Sequence, residues 1–296
     1  MFESLWNDYT VRTVVLGSAM IGAVSGSLGC FAYLRKQSLI GDVVAHSSLL
    51  GIVAAFWLGH AVTGTGSKSL WLLMPGAIVA GLAALLLTKL ITSQTRIKPD
   101  AGLGVMLAIF FGTGMMLLRW VQRAQPPIPG RAGLDDYLFG MAAAMTRADI
   151  VMITALGSVA VLTMLLTWNR LKLLTFDEGY AAGLGLAVTP FEILLLALMV
   201  IAIVIGLQVV GVVLTIALFI THAGAARQWT NHLGPMVAVA TVIGSLCAAS
   251  GAFISATGEH LPTGPVIVLL LTGVFLISIL FAPRRGLLVR RRTVVD

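Results

Sequence analysis

The segment Ser38-Leu-Ile-Gly-Asp-Val-Val-Ala-His-Ser-Ser-Leu-Leu-Gly51 opens a run of apolar residues long enough to cross a bilayer. It carries an aspartate and a histidine one helical turn apart. Residues at i and i+4 share one helix face, so the side chains of Asp42 and His46 can point at the same small cation. An ionisable side chain at bilayer depth costs about 2.5 to 3.5 kcal/mol. The pair is therefore a candidate functional site, with a hydrogen-bonded tie between helices as the alternative.

The composition of the whole chain indicates an integral membrane protein. Of the 296 residues 58% are hydrophobic and only 10% are charged, whereas soluble proteins carry about 25% charged residues. The formal net charge of +7 comes from short basic groups between apolar runs. The sequence shows no basic face or aromatic-interleaved patch, which argues against nucleic-acid binding.

Nine apolar segments are near the length that about 30 Å of hydrocarbon requires. They predict an all-α integral membrane protein, a polytopic bundle of about eight or nine transmembrane helices. Two places stay open: 121–149 contains only a short apolar piece, 137–145, and around Gln208 the chain forms either a tight hairpin or one broken helix. The nine segments are 12–34, 42–60, 70–92, 101–119, 150–168, 189–207, 209–225, 235–257 and 264–282.

The basic residues predict the orientation of the bundle. With the amino terminus outside, most of the 19 lysines and arginines face the cytoplasm, as the positive-inside rule requires. The carboxyl end, 283–296, is then a basic cytoplasmic tail. Glu192 lies near the inner end of its segment and is expected to be solvated. The basic residues that fall outside are Arg12, Lys68, Arg119, Arg123, Arg131 and Arg147.

Two motifs of soluble enzymes are missing in their required form. The loop Gly64-Thr-Gly-Ser-Lys-Ser69 resembles a phosphate-binding loop, but that motif needs its lysine directly after the last glycine. None of the five histidines stands in the His-Glu-x-x-His motif of zinc proteases. No catalytic residue is predicted, and we expect the chain not to be an enzyme.

Four motifs together resemble the metal-ion permease subunits of ATP-binding-cassette importers, which take up manganese, zinc or iron. The resemblance runs nearly end to end and implies one permease domain, 1–296, with a fold like that of type II importers. The motifs are Gly29-Cys-Phe-Ala-Tyr-Leu-Arg-Lys-Gln-Ser-Leu-Ile-Gly-Asp-Val-Val-Ala-His46, Ile97-Lys-Pro-Asp-Ala-Gly-Leu-Gly104, Phe176-Asp-Glu-Gly-Tyr-Ala-Ala-Gly-Leu-Gly185 and Leu261-Pro-Thr-Gly-Pro265.

The resemblance also implies a location and partners. The protein is expected in the bacterial cytoplasmic (inner) membrane, as a multi-pass subunit within the lipid bilayer. A separate ATP-binding subunit would hydrolyse ATP, and an extracytoplasmic metal-binding protein would deliver the cargo. A second permease subunit, identical or different, would complete a dimer.

Individual residues gain roles from the same resemblance. Asp42 and His46 match the family's Asp-x-x-x-His positions, which are taken to line the metal path near the dimer axis. In Phe219-Ile-Thr-His-Ala-Gly224 the family usually carries proline at the position of His222. His222 is therefore either an additional metal ligand or a packing residue.

A cytoplasmic segment, 176–185, resembles the part of these permeases that docks into the ATPase. The residues expected to couple the two proteins are Phe176, Asp177, Glu178 and Gly179. A solvated loop is the alternative interpretation of this segment.

The chemical types of the candidate ligands indicate which metals the protein can transport. One carboxylate and one imidazole per subunit, doubled across a dimer, supply four oxygen and nitrogen ligands, which suit manganese, iron or zinc. The stretch Arg131-Ala-Gly-Leu-Asp-Asp-Tyr-Leu-Phe-Gly-Met-Ala-Ala-Ala-Met145 resembles the manganese and iron branch of the family. We expect manganese as cargo, with zinc or iron as alternatives, and no permanently bound cofactor.

Two other classes of membrane protein fit parts of the sequence. An ion-gradient-coupled secondary carrier could use Asp42 and His46 as a proton or ion relay. A purely structural membrane scaffold would need the pair only for assembly. The carrier requires an ion gradient and no partner ATPase, and the scaffold predicts that Asp42→Ala changes only abundance or stability.

Overall fold

The structure, a computed structural model, describes residues 9–37, 39–64, 68–134, 140, 146–258 and 261–283, and within these ranges it is helical without strands. Hydrocarbon offers no hydrogen bonds to the backbone, so segments that cross it must satisfy their own N–H and C=O groups, as helices do. The helices are α1 (Tyr9–Leu34), α2 (Leu39–Thr63), α3 (Leu70–Gln94), α4 (Pro99–Arg123), α5 (Arg147–Leu166), α6 (Trp168–Phe176), α7 (Glu178–Gly183), α8 (Val188–Val210), α9 (Val212–Trp229), α10 (Leu233–Thr257) and α11 (Thr263–Phe281).

Each of the nine predicted spans overlaps a long helix of its own, α1 to α5 and α8 to α11. Among the described residues, eight of these helices are long and apolar enough to cross a membrane. The remaining long helix, α9, has 18 residues. The predicted fold class, a polytopic helical bundle with about eight or nine spans, is confirmed.

The chain reverses direction at Gly211, between α8 and α9. Gly211 has φ +84°, a left-handed backbone conformation that glycine adopts without a steric penalty. A Cβ built on Gly206 in α8 would lie 2.9 Å from Thr215 Cγ2 in α9, so residues five positions before and four positions after Gly211 approach each other. Of the two possibilities left open around Gln208, the tight hairpin is therefore correct.

Charged residues from distant parts of the chain meet at one end of the bundle. Arg35, which follows α1, pairs with Glu178 of α7 and with Glu192 near the start of α8. Glu192 also pairs with Lys89, which lies in the last part of α3. The orientation predicted from the basic residues makes this end the cytoplasmic face.

The loop between α4 and α5 starts and finishes on the opposite side of the bundle. Gly102, near the start of α4, lies beside Thr92 at the cytoplasmic end of α3. Trp168, directly after α5, packs edge-on against Phe31 near the cytoplasmic end of α1, with ring centroids 6.0 Å apart. The end of α4 and the start of α5 therefore share the outer side, and the loop makes no net crossing.

Two sequence predictions fall largely outside the described residues. They concern the short apolar piece 137–145, of which only Gly140 is described, and the basic tail 283–296, of which only Pro283 is described.

Helix α1 packs against α10 through very small residues. A Cβ built on Gly22 would lie 2.2 Å from the carbonyl oxygen of Gly244, and one on Gly26 would lie 2.5 Å from that of Ala240. Lipid tails are as apolar as leucine, so helices associate in a membrane largely by close packing of small residues. The glycines let the two backbones touch.

Gly22→Ala tests this packing. The added methyl group meets backbone that cannot rotate away, so α1 and α10 must separate, and overpacking of this kind costs about 1 to 3 kcal/mol. We expect a lower thermal unfolding temperature for the detergent-solubilised protein, followed by size-exclusion chromatography after heating. Gly273→Ala is the control because a Cβ on Gly273 has no neighbour within 4 Å among the described atoms. Equal unfolding temperatures for the two variants would contradict the assignment.

Candidate functional site

Asp42 and His46 lie on the first two turns of α2 and contact each other. His46 Nε2 lies 3.2 Å from Asp42 Oδ1, as the four-residue spacing predicts. The aspartate side chain is 34% exposed and the histidine side chain 26% exposed. The residues between them, Val43, Val44 and Ala45, are buried. The pair therefore faces away from the interior of this subunit, although it belongs to a helix that crosses the membrane.

The imidazole of His46 contacts Phe111 and Asp42, and one of its ring nitrogens has no partner among the described residues. Its ring packs edge-on against Phe111 of α4, with ring centroids 4.9 Å apart. Nε2 faces Asp42, whereas Nδ1 is buried and has no hydrogen-bond partner in the part of the chain that the structure describes. A buried polar atom without a partner is rare enough to need an explanation, such as a ligand or water.

The pair supplies two potential ligands and leaves the other positions around a cation open. In the described ranges no group of three or more His, Cys, Asp or Glu side chains is placed to hold a metal ion. A structural metal site is closed by about four protein ligands, whereas a conduction path needs ligation weak enough for the ion to leave. The geometry of one subunit is therefore that of a partial, open site.

His222 is not brought together with the pair. It lies on α9, fully buried, and a Cβ built on Gly244 of α10 would lie 2.7 Å from its Cδ2 atom. Neither ring nitrogen has a hydrogen-bond partner in the described residues. The imidazole thus fills space between α9 and α10.

The predicted coupling segment, 176–185, begins at the last residue of the short helix α6 and contains the short helix α7, with Asp177 between the two helices. Asp177 Oδ1 accepts a hydrogen bond from the backbone N–H of Tyr180 at 2.8 Å, so it caps α7. Phe176, Tyr180 and Leu184 are all exposed. The sequence predicted a coupling role for Phe176 but not for the other two residues. Three large apolar residues in a short charged segment could have indicated an exposed contact surface.

The sequence predicted that Glu192 is solvated, and this prediction is wrong. Its side chain is 17% exposed and lies between Lys89 and Arg35. The two cations belong to α3 and to the turn after α1, more than 100 positions away in the sequence. Only the packing of α8 against these elements brings the three charges together.

Comparison with known proteins identifies the family. Residues 7–282 match the model of the ABC 3 transport family. The zinc transport system membrane protein TroC of Treponema pallidum is 43% identical over 98% of this chain and 96% of its own length. The manganese transport system membrane protein MntC of Bacillus subtilis is 41% identical over 97% of this chain, which spans 65% of that relative.

A solved structure, described as PsaBC from Streptococcus pneumoniae in complex with Fab, contains a similar chain. The two chains superpose with a TM-score of 0.83 at 27% identity, over 100% of this chain and 98% of the other. These matches support the permease hypothesis and not the ion-gradient carrier. The chain therefore belongs to the ABC 3 transport family, and it is a multi-pass membrane permease subunit of an ATP-binding-cassette transporter whose ATPase is a separate chain.

Proposed function

We propose that this permease imports a divalent transition metal, with manganese as its cargo and zinc or iron as the alternatives. The observation that carries the proposal is the half-exposed Asp42–His46 pair on a membrane-crossing helix. Carboxylate and imidazole are ligands for all three metals, and affinity alone follows the Irving–Williams order, which favours zinc over manganese. Selectivity for manganese must then come from site geometry, from the delivering protein and from metal supply. Two relatives are named for zinc transport and for manganese transport, and carboxylate and imidazole can bind both of these metals.

A second permease subunit would complete the metal path. A carboxylate and an imidazole that face hydrocarbon are unfavourable, and burying them against a partner removes that exposure. Helix α4, which carries Phe111 beside the pair, leaves most of its residues exposed within one subunit. Two subunits that meet along α2 and α4 would place two aspartates and two histidines around a shared axis. The four ligands would come from two chains, so neither chain alone traps the ion.

The exposed apolar residues of α6 and α7 suit the role of docking the ATPase. Phe176, Tyr180 and Leu184 lie on the cytoplasmic face, beside the capped start of α7. Aromatic side chains are enriched at the centres of protein interfaces. In this proposal an extracytoplasmic protein delivers the metal on the outer side. The ATPase, docked at α6 and α7, then drives the alternating access that releases it inside.

The metal path is tested by Asp42→Asn in cells that also express the partner ATPase and binding protein. The substitution removes the charged ligand but keeps the size of the side chain. Removing even an outer-shell partner of a metal ligand typically lowers metal affinity or activity by about 10- to 100-fold. Because Asp42→Asn changes a proposed ligand itself, we expect radiolabelled manganese uptake to fall at least about tenfold at matched membrane abundance. Asp149→Asn is the control, because the described contacts of that first-turn carboxylate of α5 are the hydrogen bonds that cap its own helix.

Excess zinc or iron in the same assay ranks the three metals. Uptake by Asp42→Asn equal to that of the native chain would make the pair a structural tie. Strong inhibition by zinc together with direct zinc uptake would replace manganese as the assigned cargo.

His222 is assigned to packing and tested by His222→Leu. A buried polar group without partners destabilises the folded state by about 1 to 3 kcal/mol, so an apolar residue of similar volume should keep or raise the unfolding temperature. We expect manganese uptake within about twofold of the native value, a difference under 0.5 kcal/mol. Loss of uptake at unchanged abundance and stability would instead make His222 a ligand.

Docking is tested by the double variant Phe176→Ala and Tyr180→Ala. Removing both rings takes away the large apolar contacts, and losses above 1 kcal/mol per residue are usual for such interface anchors. We expect at least a fivefold loss of ATPase that copurifies with the tagged permease. Trp71→Ala is the control, because Trp71 is an equally exposed aromatic residue at the outer end of α3. Unchanged copurification of the double variant would leave α6 and α7 without a docking role.

A further inference from the structure

Four charged side chains connect the proposed docking segment to the transmembrane helices. Arg35 Nη2 lies 3.5 Å from Glu178 Oε2 and 3.7 Å from Glu192 Oε1. The other carboxylate oxygen of Glu192 pairs with Lys89. These residues come from the turn after α1, from α7, from α8 and from α3. Arg35 is the member that joins the docking segment to the rest.

The burial of the four residues divides them into a fixed part and an accessible part. The side chains of Arg35 and Glu192 are 10% and 17% exposed, whereas that of Glu178 is 54% exposed. Removing one partner of a buried ion pair is strongly destabilising because the other charge stays buried. Burial therefore keeps Arg35 beside Glu192, although the two charged groups are 3.7 Å apart, whereas the largely exposed Glu178 can move away.

The contact between Arg35 and Glu178 is loose. At 3.5 Å it is longer than a hydrogen bond, as is the 3.7 Å contact of Arg35 with the more buried Glu192. Nη1 of Arg35 is buried without a hydrogen-bond partner in the described residues. A cavity of about 430 Å³ lies beside the network and is lined by Asp100, Ile40, Arg35, Glu178 and Glu192 among others. The guanidinium has unused donors, and the coupling segment has space in which to move.

A hydrogen-bonded turn lies between Arg35 and the helix that carries the metal-path pair. Lys36 has φ +57°, a conformation that costs a non-glycine residue about 1 to 2 kcal/mol. The turn is closed by the backbone N–H of Gln37, which donates to Ala32 O at 3.1 Å, and the N–H of Ile40 donates to Gln37 O at 3.2 Å. Helix α2 starts at Leu39, and Asp42 lies in its first turn. A displacement of Arg35 therefore moves the start of α2.

We propose that Arg35 is the positioning residue through which the coupling segment controls the Asp42–His46 pair. When the ATPase displaces α7, Glu178 pulls on Arg35 or releases it, and the turn at Lys36 passes the shift to α2. Arg35 touches neither ATP nor, in this geometry, the metal. The inference rests on the proposed function, because it assumes that metal transport is driven through α6 and α7.

The test uses the whole importer in liposomes, with permease, ATPase and binding protein, and measures both manganese uptake and ATP hydrolysis. Arg35→Gln and Glu178→Gln each remove one side of the contact. Allosteric coupling is typically worth 5- to 150-fold, so we expect each variant to lower the metal transported per ATP about tenfold. ATP hydrolysis by the Arg35→Gln importer should stay within about twofold of the native rate, because Arg35 lies outside the proposed docking segment. Glu178 belongs to that segment, so its variant is compared by the metal transported per ATP at equal amounts of copurified ATPase. The double variant should be no worse than either single variant, because both remove the same contact.

The control is Arg96→Gln, which removes an exposed cation on the same face that makes no ion pair among the described residues. If Arg35→Gln fails to assemble, Glu178→Gln still decides the question, because its side chain is largely exposed. Losses that multiply in the double variant would overturn the proposal, as would a proportional fall of uptake and hydrolysis. Failure of the proposed function itself is a different result: the native importer would hydrolyse ATP and transport none of the three metals.

Discussion

The contact of α1 with α10 is the interaction on which the remaining arrangement depends. Gly22 and Gly244 allow the two backbones to touch, which is how helices gain packing energy in a solvent as apolar as their own side chains. Helix α1 is also flanked by α5, α8 and α9. Its position therefore decides where Phe31, Arg35 and the turn into α2 lie. A shift of α1 would move both the charged network and α2, the helix that carries Asp42 and His46.

Two groups of charged side chains in the described residues differ in how their charge is compensated. At the cytoplasmic face Arg35, Lys89 and the two glutamates neutralise one another. On α2, Asp42 and His46 pair with each other but remain half exposed. The first arrangement brings together both signs of charge within one chain, whereas the second leaves its side chains partly exposed. That difference fits the proposal of an internal coupling element and of a separate surface for a second subunit and the metal.

Much of the fold could be predicted because the length of an apolar segment by itself indicates whether the segment can cross a membrane as a helix. Each of the nine predicted spans corresponds to a helix, and the motifs carried the family resemblance that the comparisons confirm. The four-residue spacing of Asp42 and His46 was also sufficient to predict their contact. The hairpin at Gly211 was not decided, because a glycine permits a reversal as readily as a bend and only the packing of α8 and α9 selects one.

The sequence by itself determined the class of the protein, its helices and the local pair on α2, since these depend on composition and on residues within one or two turns. Only the tertiary structure decided that Glu192 is buried between two cations, that His222 packs away from the pair, and that Arg35 reaches Glu178. The ion pairs among them join residues 103 to 157 positions apart. Helix periodicity carries no information at that range, because the pairing is chosen by how α1, α3, α7 and α8 pack together.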